Sequence, residues 1–272
     1  MNTKPHREKT AATAQAGTVS GPGKAPAGRA RGRRRYDDGC AAAHALDLVG
    51  ERWGLLVVRE LLLGPRRFSD LRQNLAGISP NVLTQRLGDL EAAGIVQRRT
   101  LQPPASCRVY ALTPWGMQLE PVLLELLKWG VRSPGFERGR SLTADAMALS
   151  FKAMFDPLLA KGPASRITLV MHGHAYHLAI DQGRLAVARG DPPCHPADAS
   201  GWAGATLYAE PVTVLQLAYG KRPLDAALAA GDCRLEGSAR ILRRFLACFE
   251  VPGPVQAAGS ASAPVAMISP FC

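Results

Sequence analysis

No stretch of the 272-residue chain approaches the roughly 18 uninterrupted apolar residues that a membrane-spanning helix needs. No apolar run stands behind the basic N-terminus, which argues against a secretory signal. The expected location is therefore the cytoplasm, with no membrane partner. The six cysteines, Cys40, Cys107, Cys194, Cys233, Cys248 and Cys272, never form a C-x-x-C pair. That excludes the usual zinc spacings and a disulfide framework, so reduced thiols are expected. A nucleophile beside its base, a glycine-rich phosphate loop and a paired-carboxylate motif are also missing, so neither an enzyme nor a cofactor is expected. His172, His174 and His177 lie on expected strands, where alternation sets His177 opposite the other two; three ligands do not converge there. Cys194 and His195 sit in a proline-rich loop without a third partner. There is no internal repeat.

Acidic residues are the scarcer charge: 33 Lys+Arg stand against 22 Asp+Glu, for a net +11. The excess is concentrated, because the first forty residues carry nine basic and three acidic side chains. Residues 1–36, rich in Gly, Pro, Ala and Arg without apolar periodicity, read as a disordered basic tail. Such an arm suits attraction to phosphate by counterion release, with Arg31 and Arg33 to Arg35 its densest part. A solvated tail kept soluble by its charge is the equal alternative.

With 47% hydrophobic residues, the rest has room for two domains, each with its own core. From Cys40 the pattern is helical. Residues 41–49 and 51–63 form two helices, with Trp53, Leu56, Val57, Glu60 and Leu61 at helical spacing and Gly64-Pro65 as the stop. Ser69 caps a short helix to Leu75, and Gly77 breaks it. Ser79-Pro80 opens the next, with serine as N-cap and proline where its missing N–H is harmless, and Gly94 closes it. Residues 95–101 and 107–112 are β-rich and flank Pro103-Pro104-Ala105-Ser106, a hairpin signal. Thr113-Pro114 then starts a leucine-rich helix to Trp129. Residues 133–143 read as a linker. Residues 144–250 read as α+β, with helices at 144–159, 212–219, 224–230 and 239–249. The strands there are 166–171, 175–180, 184–188, 205–208 and 233–236. Residues 251–272 read as a flexible tail.

Reading bases in duplex DNA needs a helix with one face for the core and one polar face for the major groove. At about 100° per residue, Leu83, Leu87, Leu90 and Gly94 of residues 79–94 fall in one stripe about 60° wide. Asn81, Gln85, Gly88 and Ala92 lie opposite. Asn and Gln make bidentate pairs with adenine, and Gly88 lets a backbone come close. Ser79, Thr84 and Arg86 border this face. Arg98, Arg99 and Arg108 on the hairpin suit phosphates or a minor groove, as a wing would, and Arg66 and Arg67 suit the DNA backbone. An ordinary amphipathic surface helix beside a solvated hairpin is the alternative.

The run C-A-A-A-H-A-L-D-L-V-G-E-R-W-G-L-L-V-V-R-E-L-L-L-G-P-R-R-F-S-D-L, continued by I-S-P-N-V-L-T-Q-R-L-G-D-L-E-A-A-G-I-V-Q-R-R and V-Y-A-L-T-P-W-G, resembles the HxlR-type winged helix-turn-helix regulators over about residues 40–130. The resemblance implies a mainly α winged helix-turn-helix domain at 37–132 and a homodimer joined by its outer helices. It also implies binding to an inverted repeat of double-stranded DNA, usually as a repressor. On this chain the outer helices are 41–49 and 114–129, and Leu119, Leu123, Leu126 and Leu127 supply either a dimer surface or the domain's own core. Some members sense oxidants through a cysteine at the place of Cys40. A thiol at a helix N-terminus near arginines gains thiolate character, whereas Asp37 and Asp38 oppose it, and an ordinary small core residue is the other reading.

The run A-T-L-Y-A-E-P-V-T-V-L-Q-L-A-Y-G-K-R-P-L-D-A-A-L-A-A-G-D-C-R-L-E-G, with D-Q-G-R-L-A-V-A-R-G before it, is similar to the end of a sterol-carrier-protein-like domain. For residues 144–250 this implies an apolar cavity between sheet and helices for a small apolar ligand, or else a filled packing or dimerisation module. A lipid or acyl carrier with a winged-helix half that does not bind DNA is the competing function.

Overall fold

The computed structural model describes residues 36–101, 107–137, 140–190 and 204–255. The arginine-rich tail, Pro103 to Ser106, Cys194, His195 and Cys272 lie outside the described residues.

The first half runs α1 (Ala41–Val49), α2 (Gly54–Leu61), α3 (Phe68–Asn74), α4 (Pro80–Ala92), β1 (Val96–Thr100), β2 (Arg108–Leu112), α5 (Pro114–Met117) and α6 (Glu120–Gly130). Helix α2 starts three residues later than the sequence reading placed it. Trp53 takes a left-handed φ of 78°, so a right-handed helix cannot pass through it. Gly77, at φ 88°, makes the turn between α3 and α4. Ser79 caps α4 by accepting from the Val82 N–H at 3.3 Å, with Pro80 in the first helical turn.

The single helix expected over 114–129 is two. Pro121 falls in the first turn of α6, where its missing N–H is tolerated, but continuing from α5 would set its ring against the carbonyl of Met117. The chain therefore restarts at Glu120. Thr113 locks α5 to the end of α4: its hydroxyl donates to the Gly94 carbonyl at 2.7 Å and accepts from the Gly116 N–H at 3.0 Å. A Cβ at Gly116 would lie 2.1 Å from the Ile95 carbonyl oxygen, so no side chain fits in this junction.

The second half comprises α7 (Ala144–Met154), β3 (Ser165–Met171), β4 (His174–Asp181), β5 (Arg184–Gly190), β6 (Gly204–Ala209), α8 (Pro211–Ala218), α9 (Leu224–Ala229), β7 (Cys233–Gly237) and α10 (Ala239–Leu246). The five strands order β5-β4-β3-β6-β7. The β3–β6 pair is parallel, Ile167 opposite Ala205, and the other neighbours are antiparallel. Helix α7 stops at Met154 rather than 159, because Pro157 biases the residue before it towards extended backbone and Phe155 forms a bridge with Phe249. The same bridge ends α10 before the expected residue 249. His172, expected on a strand, lies in the β3–β4 turn with φ 48°.

Two apolar cores result. One gathers Val57, Leu61, Leu71, Leu83, Leu87, Leu90 and Ile95; the other gathers Met147, Phe151, Leu169, Tyr176, Leu207, Leu242 and Phe245. Phe151 meets the Phe245 and Phe249 rings at centroid distances of 5.5 and 4.6 Å. These rings occupy part of the region between sheet and helices. Helix α7 serves both cores: Leu149 belongs to the first, Met147, Ala148 and Phe151 to the second.

Candidate nucleic-acid interface

Helix α4 turns Leu83, Leu87 and Leu90 fully inward and leaves Ser79, Asn81, Thr84 and Gln85 exposed. Among the described residues, the side chains of Asn81, Thr84 and Gln85 have no hydrogen-bond or charged partner. Two amides and a hydroxyl, with all donors and acceptors free, face outward from a rigid helix; this is what base-edge recognition requires. Gly88 is half-buried, and a Cβ there would meet nothing within 4 Å.

The β1–β2 hairpin pairs Arg98 with Tyr110 and Arg99 with Val109 across its register. Arg98, Arg99 and Arg108 are all exposed. Arg98 reaches Glu91 at 3.0 Å and lies 5.7 Å from the Tyr110 ring centroid, which ties the wing to the last turn of α4. Arg67 is exposed as expected, its N–H donating to Asp70 at 3.2 Å.

Two expected contacts are corrected. Arg86 folds onto Asp89 at 3.2 Å and Glu51 at 3.6 Å, and its side chain keeps only 12% exposure. It ties α4 to the turn between α1 and α2. Arg66 is turned wholly away from solvent, with 4% side-chain exposure. Its backbone pairs with Tyr110 beside the wing, which aims the side chain into the junction with the second half. There Asp145, fully buried in the first turn of α7, accepts from Arg66 at 2.6 and 3.1 Å, from Arg189 at 3.0 Å and from the Tyr176 hydroxyl at 2.7 Å. Arg189 also donates to the Pro65 carbonyl at 2.8 Å. Burial opposes the Arg66 charge, but Asp145 more than offsets it and the guanidinium is held above its ordinary value. Burial beside Asp145 likewise pushes the Tyr176 phenol well up, so it remains a donor.

A second junction centres on Glu60, which is fully buried. It accepts from Arg59 at 2.7 Å, Asn74 at 2.7 Å and the Thr143 hydroxyl at 3.0 Å. Neither junction was singled out from the sequence. Glu60 carried a signal, a carboxylate at helical spacing among apolar residues; Asp145 carried none.

The outer helices divide their apolar residues. Leu123 is buried and Leu119 and Leu127 pack on the first core, so these three complete the domain. Leu126, Val122 and Trp129 on α6 and Leu46 on α1 are exposed, Trp129 by 74%. Cys40 is the N-cap residue of α1 and exposed. The backbone N–H groups of Ala42 and Ala43 at the helix start lower its thiol pKa from the ordinary value, although no side-chain cap hydrogen bond forms. Asp38 accepts from the Cys40 N–H at 2.8 Å.

Helix α3, the Gly77 turn, α4 and the β1–β2 hairpin make a winged helix-turn-helix. Residues 48–134 match the family profile described as HxlR-like helix-turn-helix. The "Uncharacterized HTH-type transcriptional regulator YvaP" of Bacillus subtilis (strain 168) is 41% identical over 86 residues, 31% of this chain and 79% of that protein. The "Uncharacterized HTH-type transcriptional regulator sll1512" of Synechocystis sp. is 41% identical over 92 residues, 34% of this chain and 67% of that protein. Among solved structures, "Redox regulator HypR in its oxidized form" is 33% identical, covering 34% of this chain and 94% of that chain with a TM-score of 0.32. The chain belongs to the HxlR-like helix-turn-helix family. Residues 135–272 lie beyond the family match. Among the described residues, no helix is long and apolar enough to cross a membrane.

Proposed function

We propose that this chain is a DNA-binding transcriptional repressor that reads an inverted repeat as a homodimer. Helix α4 enters the major groove with Asn81, Thr84 and Gln85, and Arg98, Arg99 and Arg108 of the wing neutralise phosphates beside it. The observation that carries this reading is the free polar face of α4, set opposite three fully buried leucines. Family membership supports the regulator class. The exposed Leu46, Val122, Leu126 and Trp129 support pairing of two copies through α1 and α6.

Control falls to the second half, a sterol-carrier-like unit that answers to an apolar ligand, or to oxidation of Cys40, whose exposed thiol is shifted towards thiolate. The test is a fluorescence-anisotropy titration on DNA from upstream of the chain's own gene, against a scrambled duplex. Replacing both Asn81 and Gln85 by alanine removes two pairs worth about 1–3 kcal/mol each, so specific affinity falls while scrambled-DNA affinity holds. Equal losses on both duplexes would remove α4 as the reading helix. A chain that retains lipid and ignores both duplexes would be a carrier instead.

A further inference from the structure

A cavity of about 570 Å³ opens between α6 of the family domain and α7 and α8 of the second half, within the size range of small-molecule sites. Leu126 and Leu127 line it from α6, Met154 from α7 and Leu215 from α8. The charged side chains in its wall are paired. Arg59 is held by the buried Glu60 at 2.7 Å. Arg140 is held by Glu137 at 2.6 Å, and both of these are mostly exposed. No charge is left over for a ligand, and an ion taken in there would lose water without gaining a counterion. The occupant this wall suits is uncharged.

One polar pair in the wall, Ser150 with Tyr219, has a direction that follows from counting protons. Ser150 has a single hydroxyl proton and donates it to the Met147 carbonyl at 2.7 Å. Its 2.9 Å contact with the Tyr219 hydroxyl therefore uses the tyrosine's proton. Burial pushes the Tyr219 phenol well up, so that proton stays in place, and the Phe151 ring lies against it at a centroid distance of 6.0 Å. With its proton committed, the Tyr219 oxygen can only accept. It suits a ligand O–H and offers nothing to an ether oxygen. Ser141, another hydroxyl in the wall, is exposed to water.

We propose that this interdomain cavity binds an uncharged apolar molecule bearing one hydroxyl group, whose O–H donates to the Tyr219 oxygen. The body of the ligand lies among the leucines of α6 and α8. Alcohols have that chemistry; carboxylates and ethers lack it. The ligand's role as effector rests on the regulator reading above, for which it names a site and a chemical class. Helix α6 supplies both a cavity wall and the exposed Val122 and Trp129 of the pairing face, and the occupied site touches both halves of the chain at once.

The test is calorimetric titration of the full chain with octan-1-ol, its isomer 1-methoxyheptane and octanoate, each separately. The expected result is saturable binding of the alcohol, roughly three- to tenfold tighter than the ether, as one neutral hydrogen bond gives, and at least about tenfold tighter than the carboxylate. Two variants then shift the preference from opposite sides. Tyr219→Phe removes the acceptor, so the alcohol should weaken to the level of the ether. Ser150→Ala releases the Tyr219 proton, so the ether should strengthen to the level of the alcohol. Gly130 lines the cavity, and a Cβ there would meet nothing within 4 Å. Gly130→Phe therefore fills the space from a helix position that tolerates a side chain and should abolish binding, and Gly130→Ala, the folding control, should retain it.

No binding of octan-1-ol, an ether or carboxylate bound as tightly as the alcohol, or full binding by Gly130→Phe overturns the proposal. So does a preference left intact in either Tyr219→Phe or Ser150→Ala. Binding that appears only in a chain ending at Val255 would make the last residues the occupant, and a change of oligomeric mass in Gly130→Phe would make it a second copy; each overturns the proposal equally. DNA affinity is measured apart from these titrations. A chain that binds octan-1-ol but no DNA keeps the site and sinks the regulator reading.

Discussion

Replacing Asp145 by alanine should destabilise the chain severely although the residue touches neither the α4 face nor the wing. The carboxylate is fully buried and is the shared acceptor of Arg66, Arg189 and Tyr176. Arg189 would keep its bond to the Pro65 carbonyl and some solvent. Arg66, at 4% side-chain exposure, would keep a buried charge without a counterion. Breaking a buried pair in this way costs about 3–5 kcal/mol, most of it the stranded charge rather than the lost attraction. Urea unfolding followed by tryptophan fluorescence reads the loss directly. Arg66→Ala made on top of Asp145→Ala should cost far less than Arg66→Ala alone, because the charge to be stranded is gone. A loss below about 1 kcal/mol for Asp145→Ala, against the range for such pairs, or strictly additive single changes, would refute the clamp.

Arg99→Ala should lower the slope of log affinity against log salt by about 0.9 while leaving sequence preference intact; an unchanged slope would take the wing off the phosphates. Gly116→Ala drives a Cβ towards the Ile95 carbonyl, 2.1 Å away, and should cost on the order of 1–3 kcal/mol in urea unfolding. Burial and the nearby Arg66 and Arg189 hold the His174 imidazole below its ordinary 6.5. The unfolded chain therefore takes up that proton first, and stability present above pH 6.5 should fall as pH drops through this window. His174→Gln should flatten that fall, and an unaltered profile would assign it elsewhere. Cys40 should be alkylated by iodoacetamide before Cys233 or Cys248, whose thiols burial pushes up; mass mapping that gave the reverse order would contradict the helix-end effect.

Helix α4 was legible almost to the residue. Its leucine stripe, its Ser79-Pro80 opening and the glycine at 94 are all local signals, and local signals survive folding. The wing followed for the same reason, from β-rich runs around a proline pair. What could not be read was partnership. Arg66 and Arg67 are alike in sequence, yet the first pairs through its backbone with Tyr110 and meets a carboxylate 79 positions away, while the second stays in water. Arg86 sits beside the amide face, and its charge alone gave no notice of Glu51 and Asp89. Pro121 was visible but masked by the leucines around it.

One helix ends up with two masters. Leu149 of α7 lies in the core built by α2 and α4, and Thr143, at its N-cap, holds Glu60 of α2; α2 in turn packs on α4. A displacement of the distal sheet has only one intervening layer to cross before it tilts the amide-bearing rod. The appended half is thus geared to the reader rather than hung from it. A fragment trimmed to the family boundary would be a machine with its drive shaft removed, answering to DNA with a different stiffness from the intact chain.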